Sequence, residues 1–403
     1  MTRQLFSNAS IFDGSGSAPA EGQVLVEDGR ILEVGLGLDG DEVIDLGGKT
    51  LLPGLFDTHV HVMISHVDQW ALLHEPFSLQ FYEAARNLRA TLDAGITTIR
   101  DAGGADLGVK EAVERGMIAG PRMQVSLIML SQTGGHGDGW LASGNDTKLF
   151  CPHPGRPSGI VNGPEEMRLK VRELFRAGAD VIKVATSGGV LSPRDDPTHA
   201  HFAPDELDML VAEAAAAGKW VMAHAQGTEG IKNAIRAGIR SIEHGIYLDD
   251  EAIEMMLQRG TYLVPTLIAP TGVVRAAEAG APIPPVIIEK AEMVVEVHRD
   301  SFRRAVEAGV KVAMGTDTGV TPHGENLGEL ELMAQGGMAP GEVLRATTAV
   351  AADLMGVDGD RGTIESGKAA DLVVLDGDPF DFGGFRERIR AVYQAGTLVS
   401  GGV

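Results

Sequence analysis

A single cysteine, Cys151, in 403 residues leaves this chain without any intrachain disulfide. Cys151 lies in a Pro/Gly-rich stretch with no base nearby, so it reads as an incidental loop thiol rather than a nucleophile. Basic residues are scarce: 34 Lys and Arg stand against 56 Asp and Glu, for a formal net charge of −22. A nucleic acid or an anionic membrane surface would want a basic face, so neither is expected as a partner. No apolar run reaches the length of a bilayer span, and no basic start followed by an apolar segment opens the chain. A cytoplasmic protein with a solubilising acidic surface is the expectation.

What is present is ordinary in bulk, 44% apolar and 22% charged, and distinctive in its order. From about residue 83 to residue 356 one unit recurs: a helical pattern rich in Ala, Glu and Arg, a glycine, then a short β-branched run. Gly95, Gly178, Gly218, Gly238, Gly260 and Gly309 each precede such a run. With a first strand at 55–61 and a third near Met123–Leu130, the count is eight. Eight strands alternating with helices predict an α/β fold, a parallel (β/α)₈ TIM-like barrel, over residues 54–357. Residues 1–53 and 358–403 hold short alternating runs broken by glycines, each too short for a good core. They predict one small β-sandwich domain made from both chain ends, with the barrel inserted between them.

Barrel enzymes carry their chemistry at the C-terminal ends of the strands. His59-Val60-His61 closes the run Leu51–Thr58, and alternation in a strand turns both imidazoles to one face. Lys183, His224, His244 and Asp317 close later runs. Any one of these alone is an unremarkable polar residue; ligand-type residues on five strands predict a site for Zn²⁺ or a similar divalent ion. Lys183 is the exception in kind, because an ammonium has no lone pair for a metal. Burial beside cations would depress its pKa and free an amine able to capture CO₂ as a carbamate. The plain alternative is a lysine paired with Asp180 or with a substrate acid.

These residues, with the phrases Pro53–His61, Ile242-Glu243-His244-Gly245 and Gly362–Leu372, resemble the amidohydrolase superfamily. The resemblance is to its binuclear-metal branch and the group of Xaa-Pro dipeptidase-like (prolidase-like) and imidazolonepropionase-related proteins. It implies a metal-dependent hydrolase of a C–N amide bond in a small substrate, a dipeptide or N-acyl amino acid, attacked by a metal-bridging hydroxide. It implies two divalent ions, with zinc expected: His59, His61 and Asp317 on the more buried one, His224 and His244 on the other, and carboxylated Lys183 bridging. The charge balance leaves a net positive charge to steady an oxyanion. Asp317 would take the proton of the attacking hydroxide and pass it to the leaving amine.

The substrate side is thinner. A long stretch from Ser131 to Asn162 leaves the active face and suits a lid. Within it His136 sits among glycines, where the resemblance places a group that polarises the scissile carbonyl. Arg194, flanked by acids, reads as part of a surface ion cluster, and His199 and His201 as surface residues. His323 resembles a position facing the substrate. Gln226 stands where many prolidase-like relatives carry a tyrosine, and Tyr247 is a second source of a phenol. Competing readings are hydrolysis of aryl amides, ureas, carbamates or lactones; a mononuclear imidazolonepropionase- or deaminase-like enzyme, disfavoured by Lys183; and a non-enzymatic scaffold, disfavoured by the six filled ligand positions. A homo-oligomer is expected.

Overall fold

Gly54 is the point at which the chain passes from one sheet into another. A Cβ there would lie 2.2 Å from Thr97 Oγ1, so the backbone can approach this closely only as glycine. Its N–H donates to Asp371 O at 2.7 Å. The structure is a computed structural model that describes residues 2–402 except 67, 148–149 and 193–194, and leaves out the side chains of 69, 70 and 72. Arg194 therefore lies outside the described residues.

Before Gly54 and after Ala370 the strands join one eight-stranded sheet. Its order is Thr397–Gly401, Ile389–Gln394, Leu372–Leu375, Thr50–Pro53, Gln4–Ile11, Ala20–Glu27 and Arg30–Gly35, with Glu42–Asp45 branching onto Gln4–Ile11. The chain ends meet at Thr50–Pro53, antiparallel to Leu372–Leu375 and parallel to Gln4–Ile11. Phe6, Val24, Leu51, Leu372 and Tyr393 form its core. The rings of Phe6 and Tyr393 meet edge to face at 5.0 Å.

Between Gly54 and Ala370 every paired strand among the described residues runs parallel. Leu55–Val60, Ile96–Asp101 and Arg122–Val125 form one sheet; Met129–Leu130, Ile182–Ala185, Val221–Ala225, Ser241–His244 and Tyr262–Val264 form another. Leu55–Val60, Ile96–Asp101 and Ile182–Ala185 are buried along their whole length, as parallel strands under helices require. The intervening helices end as the glycine signals predict; Gly238 and Gly309 cap theirs at φ 91° and 87°.

Two expected strands differ. The third is two pieces, Arg122–Val125 and Met129–Leu130, because Leu127 takes φ 68° and breaks the ladder. The eighth is an extended segment rather than a regular strand. It still bonds both neighbours: Leu263 N donates to Lys311 O at 2.8 Å, and Asp317 N to His59 O at 2.7 Å. Isolated parallel bridges, Leu263 with Val312 and Val60 with Thr318, mark the same course. Gly315 interrupts it where a Cβ would meet Val264 at 2.4 Å and His59 Cβ at 3.0 Å. No helix among the described residues is long and apolar enough to cross a membrane.

Phe6 is fully buried, so Phe6→Ala should cost about 3–5 kcal/mol through lost contacts and the cavity left behind. A urea or thermal unfolding curve that did not shift would show the two-ended sheet to be dispensable to the fold.

Candidate metal centre and substrate cavity

His59 and His61 leave the first central strand towards one carboxylate. Their Nε2 atoms lie 3.4 Å and 3.2 Å from Asp317 Oδ1. His59 Nε2 is also 3.2 Å from Lys183 Nζ. Lys183 stands inside the strand Ile182–Ala185 rather than at its end, and its long side chain covers the difference. The His244 ring is 5.1 Å from that of His59 and 4.7 Å from that of His224. His59, His244 and Asp317 offer ligand atoms that all lie within 4.8 Å of one another.

The second nitrogen of each ring is already engaged. His59 Nδ1 meets Glu243 Oε2 at 2.7 Å, His61 Nδ1 meets Gly103 O at 2.7 Å, and His224 Nε2 meets Gly188 O at 3.0 Å. Carboxylate and carbonyl oxygens only accept, so the facing nitrogen carries the proton and the other keeps a lone pair for the centre. His244 Nδ1 has the Thr266 hydroxyl at 2.7 Å, which serves either way. This donor set fits a divalent cation. His244, Thr266 and Asp317 also hold left-handed backbone, φ 73°, 52° and 59°, a strained state for non-glycine residues that clusters at functional sites.

Behind this cluster lies a buried ion pair. Arg100 Nη2 reaches both oxygens of Glu243 at 3.0 and 3.2 Å, its Nη1 donates to Ser241 Oγ at 3.2 Å, and its Nε to Thr58 O at 2.6 Å. Burial pulls the Lys183 ammonium down to about 8, against the pull of Glu243 and Asp317. Burial, together with nearby cationic groups, holds His59, His224 and His244 well below the usual imidazole value. Asp317 is buried too, which would raise it, but the His61 hydrogen bond and the charges of His59, His61 and Lys183 keep it below the usual carboxylate range. Asp57 is pushed up to about 6 by burial, although Asn326, Thr316 and the His59 N–H all donate to it.

These six side chains open on a cavity of about 240 Å³ that His136 and Gln226 also line. The stretch after strand three supplies one wall (Trp140, Leu141, Phe150, Ile160), and Ala269, Pro270, Val273 and Ile287 supply another. Two expected contacts sit elsewhere. His323 Nε2 is bound to the carbonyls of His61 and Ile64 at 3.2 and 3.0 Å, so it braces the turn after His61 and does not line the cavity. Tyr247 packs with Val190, Ile246 and Val273, also outside the lining. Asp180 pairs with Lys110 at 2.8 Å, which removes it as a partner for Lys183. His199 is exposed as expected, whereas His201 is buried.

Glu243, Arg100 and Thr266 were not singled out from the sequence. Glu243 does leave a signal, an acid inside the buried run Ser241–His244 next to a candidate ligand. Arg100 and Thr266 leave none without the pairing of strands far apart in the chain.

Residues 50–401 match the amidohydrolase family. The ochratoxinase of Aspergillus niger is 35% identical over 376 residues, covering 87% of this chain and 76% of that protein. The structure of a Xaa-Pro dipeptidase with methionine bound in its active site superposes with a TM-score of 0.91 at 34% identity, over 99% of this chain and 100% of that one. A prolidase complexed with N-methylphosphonate-L-proline gives 0.90 at 36% identity, over 99% of both chains.

Glu243→Gln keeps the size of the side chain and removes the charge that orients His59 and pairs Arg100. Metal affinity, measured by chelator competition, should fall roughly 10–100-fold. An unchanged affinity would show that His59 is oriented without it.

Proposed function

The chain belongs to the amidohydrolase family, a hydrolytic one, and on that footing we propose that it cleaves the C–N amide bond of a dipeptide or N-acyl amino acid with two divalent ions. The carrying observation is the convergence of six ligand-type side chains on one cavity, with all four imidazoles held through their second nitrogen. His59, His61 and Asp317 would hold one ion, His224 and His244 the other, with carboxylated Lys183 between them. Zn²⁺ suits this imidazole-rich set. When bound, such ions polarise a carbonyl and activate water at neutral pH.

The remaining work falls to the protein's own groups. Lys183, drawn down to about 8, keeps a share of neutral amine near neutral pH that can combine with CO₂. Asp317 is held as the anion, so it can accept a proton during attack on the carbonyl and return it to the departing nitrogen. His136 and Gln226 are the substrate contacts retained from the sequence reading. The apolar walls favour bulky or aromatic substituents beside the scissile bond, and they fit aryl amides as well.

In this reading the parallel strands of residues 54–357 close as a (β/α)₈ barrel, and residues 1–53 and 358–403 fold as its β-sandwich. The protein acts on a small molecule in the cytoplasm, as a homo-oligomer.

Protein grown with Zn²⁺ and bicarbonate should contain close to two metals per chain. Lys183→Ala should lose activity and regain part of it with short carboxylic acids, which replace the carbamate oxygens; full activity and full metal content without added acid would refute the bridging role. Asp317→Asn should lower kcat on an N-acyl amino acid roughly 10²–10⁴-fold. Wild-type kcat with both metals in place would remove Asp317 as the proton carrier.

A further inference from the structure

The chain beyond the strand Ile182–Ala185 runs out from Ser187 and comes back beside its own start at Ala200. Ser187 and Ala200 form an antiparallel bridge, and Gly188 N donates to His199 O at 3.1 Å. A Cβ on Gly188 would lie 2.1 Å from Asp196 O, so the two limbs touch backbone to backbone. One side of this loop reaches the substrate space, where Val190, Leu191 and Ser192 line the cavity. Val190 packs there with Ile246, Val273 and Ile287.

Lys290 enters the loop from outside. It stands on the helix Pro285–Ala308, one turn beyond Ile287 of the cavity wall. Its ammonium lies 3.2 Å from Gly189 O, 2.7 Å from Ser192 O and 2.5 Å from Asp195 O. Asp195 Oδ1 is 3.5 Å away, while Oδ2 accepts the Gly189 N–H at 3.1 Å and meets His136 Nδ1 at 3.0 Å. An ammonium carries three N–H donors on a tetrahedral centre, so each takes one carbonyl and the carboxylate meets the charge. Among the described residues no backbone N–H donates to these three carbonyls. Gly189 and Ser192 are buried, and without the ammonium their carbonyls would face one another as unpaired acceptors. Carbonyls converging on one charge are how a chain holds a bare monovalent cation. Here the cation is tethered to a neighbouring helix.

We infer that Lys290 is a positioning residue that acts as the internal cation of this loop. Its ammonium draws the carbonyls of Gly189, Ser192 and Asp195 together and so holds Val190 and Leu191 in the wall of the cavity. That this wall binds a substrate rests on the hydrolase reading above; the ordering of the loop does not. The candidate ligands sit on the strands, so loss of Lys290 should weaken substrate binding far more than turnover.

Lys290→Ala deletes the equivalent of one propylammonium ion and leaves room for it. In hydrogen-exchange mass spectrometry, peptides covering residues 187–200 should lose protection roughly ten- to hundredfold, the span of a lost charge-assisted hydrogen bond, while the central strands keep theirs. With N-benzoyl-L-phenylalanine as probe and zinc-reconstituted enzyme, KM should rise by roughly the same factor with kcat little changed. Propylammonium should restore both readouts. Neither 1-propanol, of similar shape without charge, nor tetramethylammonium, charged without an N–H, should do so. Lys290→Met keeps the stem and lacks only the ammonium, so it should loosen the loop without responding to propylammonium; it also serves if Lys290→Ala does not fold. Wild-type protection of the loop in Lys290→Met would overturn the inference. So would a loosened loop in Lys290→Ala that propylammonium failed to mend, or that tetramethylammonium mended equally well. A fall in kcat at unchanged KM would also overturn it, by placing Lys290 in the chemistry rather than behind the wall. If the wild type did not turn over the probe, the amide reading would fail, and exchange with its rescue would judge Lys290 by itself.

Discussion

The hydrogen bond between His59 and Glu243, 2.7 Å long and closed to solvent, is the contact on which the centre depends. A buried carboxylate is costly unless its charge is met. Arg100 meets it with a two-pronged contact, and spends its remaining donors on Ser241 and on the carbonyl of Thr58, next to His59 in the chain. Leu55–Val60 and Ile96–Asp101, paired in one ladder, are thereby tied by side chains to Ser241–His244 of the other sheet. The imidazole on top has one orientation and one free lone pair as a result.

The two flanking histidines use a cheaper device. His61 and His224 give their protons to the carbonyls of Gly103 and Gly188. Both carbonyls belong to glycines in tight loops after the strands, and Gly103 takes φ 141°. A charged partner therefore stands only behind the ring packed against Lys183, where an uncompensated cation would be most expensive. His244, with a hydroxyl partner, is the ring whose backbone is strained instead.

Much of this was legible in the sequence because it rests on local rules. The alternation in His59-Val60-His61 does turn both rings to one carboxylate, and a glycine ahead of each apolar run does mark the helix-to-strand turn. The fusion of the two chain ends in one sheet follows from flanks too short to bury their own apolar faces. The misses are of a different physical kind. The third strand breaks at Leu127, an apolar residue whose positive φ no propensity announces. Arg100 lies on Ile96–Asp101 and Thr266 just past Tyr262–Val264, and both meet the cluster only once the sheets have formed. His323 was read as a substrate residue because it resembles a family position facing the substrate; its two carbonyl partners here are backbone, which sequence does not display.

The division between legible and illegible parts follows the architecture. The floor of the cavity is built on buried parallel strands whose side-chain directions are set by the pleat, so residue type and spacing suffice to place it. The walls are built from residues 136–141, 158–160 and 190–192, with Phe150, and from the start of Ile268–Glu278, where direction is set by individual contacts. The Glu329 carboxylate, pushed up to about 8 by burial, accepts the N–H groups of Leu267 and Ile268 and so seats the helix that carries Ala269, Pro270 and Val273. Asp195 does the same for His136 across another loop. In both cases one buried carboxylate, remote in sequence from what it holds, sets the shape of the substrate space. Chemistry is thus written in the strands, where a motif can carry it, and specificity in single loop-to-loop contacts. Relatives that keep the floor can therefore differ in what they cleave.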